Sequence, residues 1–119
     1  MATKKYTFHC DAGHGWLEVP LADILKLGLK PEDFSRYSYC NVSYLYTPTM
    51  YLEEDIDMQV FMLAAIRAGV DVEMPEAYVH GDSHIRSYGT NTVGRDFDAA
   101  DIRGLAQALE MRTVRPVCT

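Results

Sequence analysis

Residues 4–19 read KKYTFHC-DAGHG-WLEV, and this stretch sets the beginning of the fold. Its first seven residues mix aromatic, threonine and basic side chains, a composition typical of a β-strand. The next five, DAGHG, combine two glycines with an aspartate that accepts local backbone hydrogen bonds, and they predict a turn. With a second strand over 16–19, the stretch predicts a β-hairpin with a five-residue loop. We expect Gly13 or Gly15 to have a positive φ and Trp16 to be buried.

Three helices are predicted further along the chain. Pro20 suits the first helical residue and Gly28 a helix end, so a helix of about two turns lies between them. A longer helix begins in the acidic run 53–57, and a third covers 98–111. The core-facing side of the longer helix is predicted to consist of Met58, Phe61, Met62 and Ala65.

Tyrosines interleaved with serine, threonine and valine mark residues 35–52 as extended chain. These tyrosines change parity partway, which a bulge or turn near residues 40 and 41 would repair. Pro48 predicts another turn over 47–49, since proline cannot donate to a central strand ladder. A further short strand is expected over 70–74. We expect the tyrosines to pack on the sheet first, and a protein-binding face is the second interpretation.

The length of 119 residues predicts one domain, 1–119. The order of elements predicts an α+β fold, a mostly antiparallel sheet with about three helices packed against it. A net charge of −6 argues against nucleic acid as a partner, since proteins that bind its phosphates are usually basic.

The sequence shows neither a membrane-spanning apolar run nor, in its opening residues MATKKY, the apolar stretch of a signal peptide. Three cysteines are an odd number, which favours reduced thiols. Together these features predict a cytoplasmic protein.

Three short motifs, DAGHGWLEV at 11–19, YSY at 37–39 and YLEEDID at 51–57, resemble a family of small uncharacterised proteins from bacterial, phage and plasmid genomes. Residues 85–88, IRSY, fit the same pattern. The resemblance covers the first half of the chain well. It implies a mobile-element setting and transfers no reaction, cofactor or catalytic residue.

One candidate site is a metal centre. In an extended segment His80, Asp82 and His84 would share a face, and two imidazoles with one carboxylate suit iron or zinc. His9, Asp11 and His14, from the first hairpin, could add ligands. The alternative is a flexible loop whose polar side chains face water. The metal interpretation predicts a small metal-dependent enzyme that uses the histidines of the 80–84 loop.

Two further groups of residues have both a chemical and a structural interpretation. Cys10 adjoins His9, but neighbouring strand residues point to opposite faces, so buried packing is favoured over thiol catalysis. The four acids of 53–57 could bind Mg²⁺ or imitate DNA phosphates. The same acids suit the start of a helix, with Asp55 or Glu54 as its cap, and this structural interpretation is favoured.

The segment 75–96 is the longest without a predicted helix or strand, and long irregular loops are usually functional or disordered. We expect Tyr78, Arg86 and Tyr88 to bind a protein partner there, with Arg86 beside Tyr88. The alternative is a hairpin in which Arg86 pairs with a carboxylate. The sequence therefore predicts a non-enzymatic interaction or accessory protein without a cofactor, an inhibitor-like factor of a mobile element that modulates its host. Homodimer formation is left open.

Overall fold

The computed structural model describes residues 3–43 and 46–94. These residues form an α+β arrangement of short strands, two α-helices and two 3₁₀ turns. The strands are β1 Thr3–Lys5, β2 Phe8–Cys10, β3 Gly15–Pro20, β4 Tyr39–Ser43, β5 Tyr46–Glu53, β6 Asp71–Glu73, β7 Glu76–Tyr78 and β8 Gly89–Thr90. The helices are α1 Leu21–Lys26 and α2 Asp57–Arg67, and the 3₁₀ turns are Pro31–Asp33 and His84–Ser87.

Six of the strands form one mostly antiparallel sheet in the order β7-β2-β3-β5-β4-β8, in which β2 and β7 are parallel. Strands β1 and β6 form a separate parallel pair. Two backbone hydrogen bonds bridge the two pairs: Tyr6 N–H donates to Glu73 O at 2.9 Å and Phe8 N–H to Pro75 O at 2.8 Å. The pair β1 and β6 therefore continues into the pair β2 and β7, with a break in the strand pairing between them.

Both helices lie where the sequence predicted them. Each is followed by a glycine in the left-handed region, Gly28 with φ 80° and Gly69 with φ 75°, as expected for residues that end helices. The third predicted helix, 98–111, lies outside the described residues. The expectation of about three helices is thus corrected to two within the described part of the chain.

The predicted hairpin is confirmed, with Phe8 of β2 opposite Leu17 of β3. The loop spans four residues, since Gly15 already belongs to β3. The expected positive φ at Gly13 or Gly15 is wrong. Space limits position 15, because a Cβ at Gly15 would lie 2.3 Å from the Phe8 ring. A Cβ at Gly13 would lie 3.2 Å from Arg86 Nη2, a tight contact that needs only a small shift of that side chain.

The tyrosine-rich region forms β4 and β5, and its pairing shifts register between Asn41 and Ser43, close to the predicted bulge. The predicted turn over 47–49 is wrong, because Pro48 lies within β5. The pairing of β3 with β5 begins only at Thr49, so Pro48 stands beyond the two-sided part of the ladder. It lies in a bulge of β5, where residues 47 and 48 face the single residue 42 of β4. A proline is tolerated there because no neighbouring ladder needs its missing N–H.

The main core lies between the helices and one face of the large sheet. Phe61 and Ala65 of α2 and Ile24 of α1 are fully buried against the sheet residues Leu17 and Leu52. Met58 and Met62 pack on the same cluster, so the predicted core face of α2 is confirmed. No helix of the described residues has the length and apolar character needed to span a membrane.

The segment 75–94 contains regular structure that the sequence did not reveal: β7, a 3₁₀ turn and β8. The prediction of one long irregular loop is therefore wrong. Each of these elements is only two to four residues long, too short to show a periodic pattern. The remaining part of the predicted loop, 95–96, lies outside the described residues.

Candidate functional site

The sheet face opposite the helices carries a second buried cluster. Trp16 of β3 and Tyr51 of β5 lie there beneath Ile85 of the second 3₁₀ turn. Tyr39 lies 6.1 Å from Trp16 and Tyr88 lies 5.0 Å from Tyr51, measured between ring centroids. Trp16 is 2% exposed, as predicted. The segment around Ile85 therefore covers an aromatic face that the alternation of strand side chains places away from the main core.

A buried carboxylate fixes this covering segment to the hairpin loop. Asp11 Oδ1 accepts hydrogen bonds from the backbone N–H groups of Gly13 and His14, both at 3.0 Å. Its Oδ2 accepts from the Ser83 N–H at 3.0 Å. Arg86 donates from Nε to Oδ2 at 2.8 Å and from Nη2 to Oδ1 at 3.0 Å. These bonds, above all those from Arg86, hold the pKa of Asp11 well below its usual range.

The same arginine forms one wall of a pocket. Its guanidinium lies over the Trp16 ring, 5.1 Å from the centroid, as in a cation–π contact. The pocket has a volume of about 350 Å³ and opens between the hairpin, the start of β4 and the approach to α2. Aromatic rings, two carboxylates and the guanidinium line it together: Trp16, Tyr37, Tyr39, Glu53, Asp55 and Arg86.

One pocket wall is Tyr37, whose surface is 73% exposed on a short loop before β4. That loop is held by Asp57, the buried first residue of α2. Asp57 accepts hydrogen bonds from Ser35 N–H at 2.9 Å, from Ser35 Oγ at 2.7 Å and from Ser38 Oγ. The Tyr37 N–H in turn donates to Ser35 Oγ at 3.2 Å. An acid of the 53–57 run thus positions a pocket wall from inside the protein.

The predicted cap of α2 is wrong, since Ile56 precedes the helix and no side chain caps it. Neither the Asp55 nor the Glu54 side chain therefore serves as the cap. Glu53, at the end of β5, accepts from Asp55 N–H at 2.9 Å and Ile56 N–H at 3.3 Å. The turn between β5 and α2 brings these N–H groups back towards the strand end, within reach of Glu53. Burial raises the pKa of the Glu53 carboxyl.

The histidines do not converge on one point. His9 Nε2 lies 2.7 Å from Glu18 Oε1, and the rings of His9 and His84 are 5.9 Å apart. His14 borders the pocket, whereas His80 lies near the edge strand β7. Within the described residues, no group of three His, Cys, Asp or Glu side chains is arranged to hold a metal ion. The zinc or iron site remains a prediction.

Asp82, the carboxylate of the predicted metal set, lies 3.9 Å from Arg86 Nε and is highly exposed. The cysteines also have structural surroundings. Cys10 and Cys40 are free thiols, and burial is the main cause that raises the pKa of each. A raised pKa disfavours the nucleophilic thiolate, which agrees with the structural interpretation of Cys10. Cys118 lies outside the described residues.

The structure separates the three predicted partner-binding residues. Arg86 faces Trp16, Tyr88 packs on Tyr51, and Tyr78 contacts His80 beside the sheet edge. The expected Arg86–Tyr88 neighbourhood assumed an extended segment, whereas this part of the chain is a 3₁₀ turn. The alternative is confirmed in part, because Arg86 pairs with the Asp11 carboxylate. Its hairpin is wrong, since β7 pairs with β2 and β8 with β4, at opposite edges of the sheet.

Sequence reasoning missed Tyr37, Tyr39 and Glu53 as members of one pocket. The only local signal was the YSY motif, in which two tyrosines share parity. Glu53 stood in the acidic run but was assigned to the helix alone. Comparisons with protein-family models, with curated proteins and with solved structures found no match for this chain.

Proposed function

We propose that this protein is a non-enzymatic binding protein that engages a protein partner through the pocket beside Arg86. The observation that carries the proposal is the convergence of Trp16, Tyr37, Tyr39 and Arg86 around one concave site. Tryptophan, tyrosine and arginine are the residue types that contribute most to binding energy in protein interfaces.

The pocket is also preorganised. Asp57 holds the Tyr37 loop through Ser35 and Ser38, and Asp11 holds Arg86. Side chains that are already ordered lose less conformational entropy on binding, so more of the contact energy appears as affinity. Tyr37 combines this fixed backbone with a ring that is mostly exposed, which is the arrangement expected of an anchor for a partner.

The hydrogen bonding of the charged groups favours binding over proton transfer. Asp11 already accepts five hydrogen bonds, and both oxygens of Glu53 bond to backbone N–H groups. Arg86 is occupied by Asp11 through two donors. These groups shape the pocket, and the lowered pKa of Asp11 keeps it from acting as a base near neutral pH.

The test is affinity capture with matched variants. The resemblance to phage and plasmid proteins makes a bacterial lysate the first source of partners. Immobilised wild type is compared with Tyr37→Ala, at the pocket, and with Leu25→Ala, which removes another exposed large hydrophobic side chain, on α1. We expect a stoichiometric partner that Leu25→Ala retains and Tyr37→Ala loses, with both variants folded by circular dichroism. A partner retained by Tyr37→Ala, or no stoichiometric partner, would overturn the proposal.

A further inference from the structure

We infer that the pocket receives the side chain of a lysine or arginine of the partner, an inference that rests on the proposed protein-binding role. The aromatic part of the pocket is suited to such a side chain. Tyr37 and Tyr39 contribute aromatic rings to its lining, and Ile56 adds apolar surface. Ring faces attract cations, and the methylene stem of a lysine or arginine packs well on apolar walls.

The charges in the pocket favour a cation. Arg86 lies there, but its hydrogen bonds to buried Asp11 place a full negative charge directly against it. Glu53 and Asp55 remain, and within the described part of the chain neither forms an ion pair with lysine or arginine. Counted together with buried Asp11, the residues that line the pocket therefore carry an excess of negative charge. An anionic ligand would be repelled, and a purely apolar one would strip water from two carboxylates that no lysine or arginine of the described residues neutralises.

The surroundings of the Glu53 carboxylate also favour a cationic ligand. Its backbone hydrogen bonds fix the carboxylate at the pocket wall, while burial raises its pKa. A carboxylate that is held in place and partly desolvated gains from a cation brought close to it. The whole chain carries a net charge of −6, so a basic partner is also attracted at longer range.

The size of the pocket limits the ligand to one side chain. A volume of about 350 Å³ lies near the lower end of the range for ligand sites, roughly 300–1,000 Å³. One long side chain fits with room for bridging water, and a folded segment of a partner does not. The partner surface is thus expected to present a projecting lysine or arginine.

The experiment uses blocked amino acids as probes and the indole N–H resonance of Trp16, the single tryptophan of the chain. N-acetyl-lysine methylamide and N-acetyl-arginine methylamide are expected to shift that resonance saturably. N-acetyl-norleucine methylamide, which has the apolar stem without the charge, is expected to have no effect. An equal response to the norleucine probe, or no saturable response to either cation, overturns the inference.

Two neighbouring acids give a matched pair of variants. Asp55→Asn, at the pocket, is expected to weaken binding of the lysine probe about threefold, the effect of a partly exposed ion pair. Glu54→Gln makes the same change in net charge outside the lining, and it should leave binding unchanged. Equal weakening in both variants would mean long-range attraction alone and would overturn the inference.

The captured partner separates this inference from the proposed function. Loss of the partner with Tyr37→Ala, together with an affinity of the purified partner weakened about threefold by Asp55→Asn, supports both ideas. Loss with Tyr37→Ala but an unchanged affinity with Asp55→Asn overturns the basic side chain and leaves the protein-binding role standing. Retention with both variants overturns both ideas.

Discussion

Replacing Gly94 by alanine tests how tightly the segment after β8 is held against the loop that carries the pocket. A Cβ at Gly94 would lie 2.5 Å from the carbonyl carbon of Ser35 and 2.7 Å from the backbone nitrogen of Arg36. Carbon atoms in contact prefer about 3.5 Å or more, so the two backbones must separate by about 1 Å. The atoms that clash belong to main chain, which cannot swing aside as a side chain could.

The separation also strains hydrogen bonds across the same junction. Arg36 Nε donates to Gly94 O at 3.2 Å, and Asn91 Nδ2 donates to Ser35 O at 3.1 Å. Overpacking costs about 1–3 kcal/mol and a lost hydrogen bond about 1 kcal/mol, so we expect a total of about 2–4 kcal/mol. For a domain of this size that lowers the melting temperature by roughly 10 °C.

The assay is thermal unfolding followed by circular dichroism, with Gly89→Ala as the control. No atom lies within 4 Å of a Cβ at Gly89, and its φ is not positive. Gly89→Ala should therefore leave the melting temperature unchanged or raise it slightly, because alanine restricts the unfolded chain. Equal melting temperatures for Gly94→Ala and Gly89→Ala would refute the packing argument.

Three further outcomes are expected. Phe61→Ala should lower the free energy of unfolding by about 3–5 kcal/mol in urea titrations, since its ring is fully buried. Leu25→Ala, on an exposed part of α1, should change that free energy little. Similar values for the two variants would show that Phe61 is not a core residue. Gly15→Val should lower the free energy of unfolding by more than about 1 kcal/mol, because its side chain meets the Phe8 ring. The loss should be clearly smaller in a Phe8→Ala background, so equal losses in both backgrounds would exclude the ring clash. Because the pKa of Asp11 is lowered in the folded protein, its stabilisation is present above the unfolded pKa of about 4 and is lost as the pH falls below that value. Asp11→Asn should therefore be less stable than wild type at pH 7, and the difference in melting temperature should shrink towards pH 2. A difference that stays constant with pH would contradict this.

The parts of the fold that the sequence predicted are those fixed by neighbouring residues. The hairpin over 8–20 depends on two short strands and a turn between them, and α2 depends on an apolar side with a spacing of three and four residues. Gly28 ends α1 as predicted because a left-handed residue is a local requirement, and Gly69 ends α2 in the same way. Pro48 misled the prediction, because its place in a bulge of β5 depends on how the opposite strand pairs.

The candidate site could be predicted only in fragments, because its contacts join distant parts of the chain. Asp11 and Arg86 are 75 positions apart, and either residue alone matches many environments. The pocket draws on four segments, around His14, Tyr37, Glu53 and Arg86, and no sequence pattern relates them. The sequence therefore identified Arg86 as a residue of interest but not the carboxylate that holds it.

The Asp11–Arg86 pair also explains how an arginine can line a pocket that favours cations. Without Asp11, the guanidinium that lies over the Trp16 ring would repel any ligand of like charge. Asp11, with a side chain that is 1% exposed, keeps its negative charge because five hydrogen bonds outweigh the cost of burial. Arg86 then contributes a planar surface of fixed geometry, and the carboxylate of Asp11 balances its positive charge. The negative charges of Glu53 and Asp55 are left to set the electrostatics of the pocket opening, and the hairpin loop that supplies Asp11 is as necessary to binding as the residues that line the pocket.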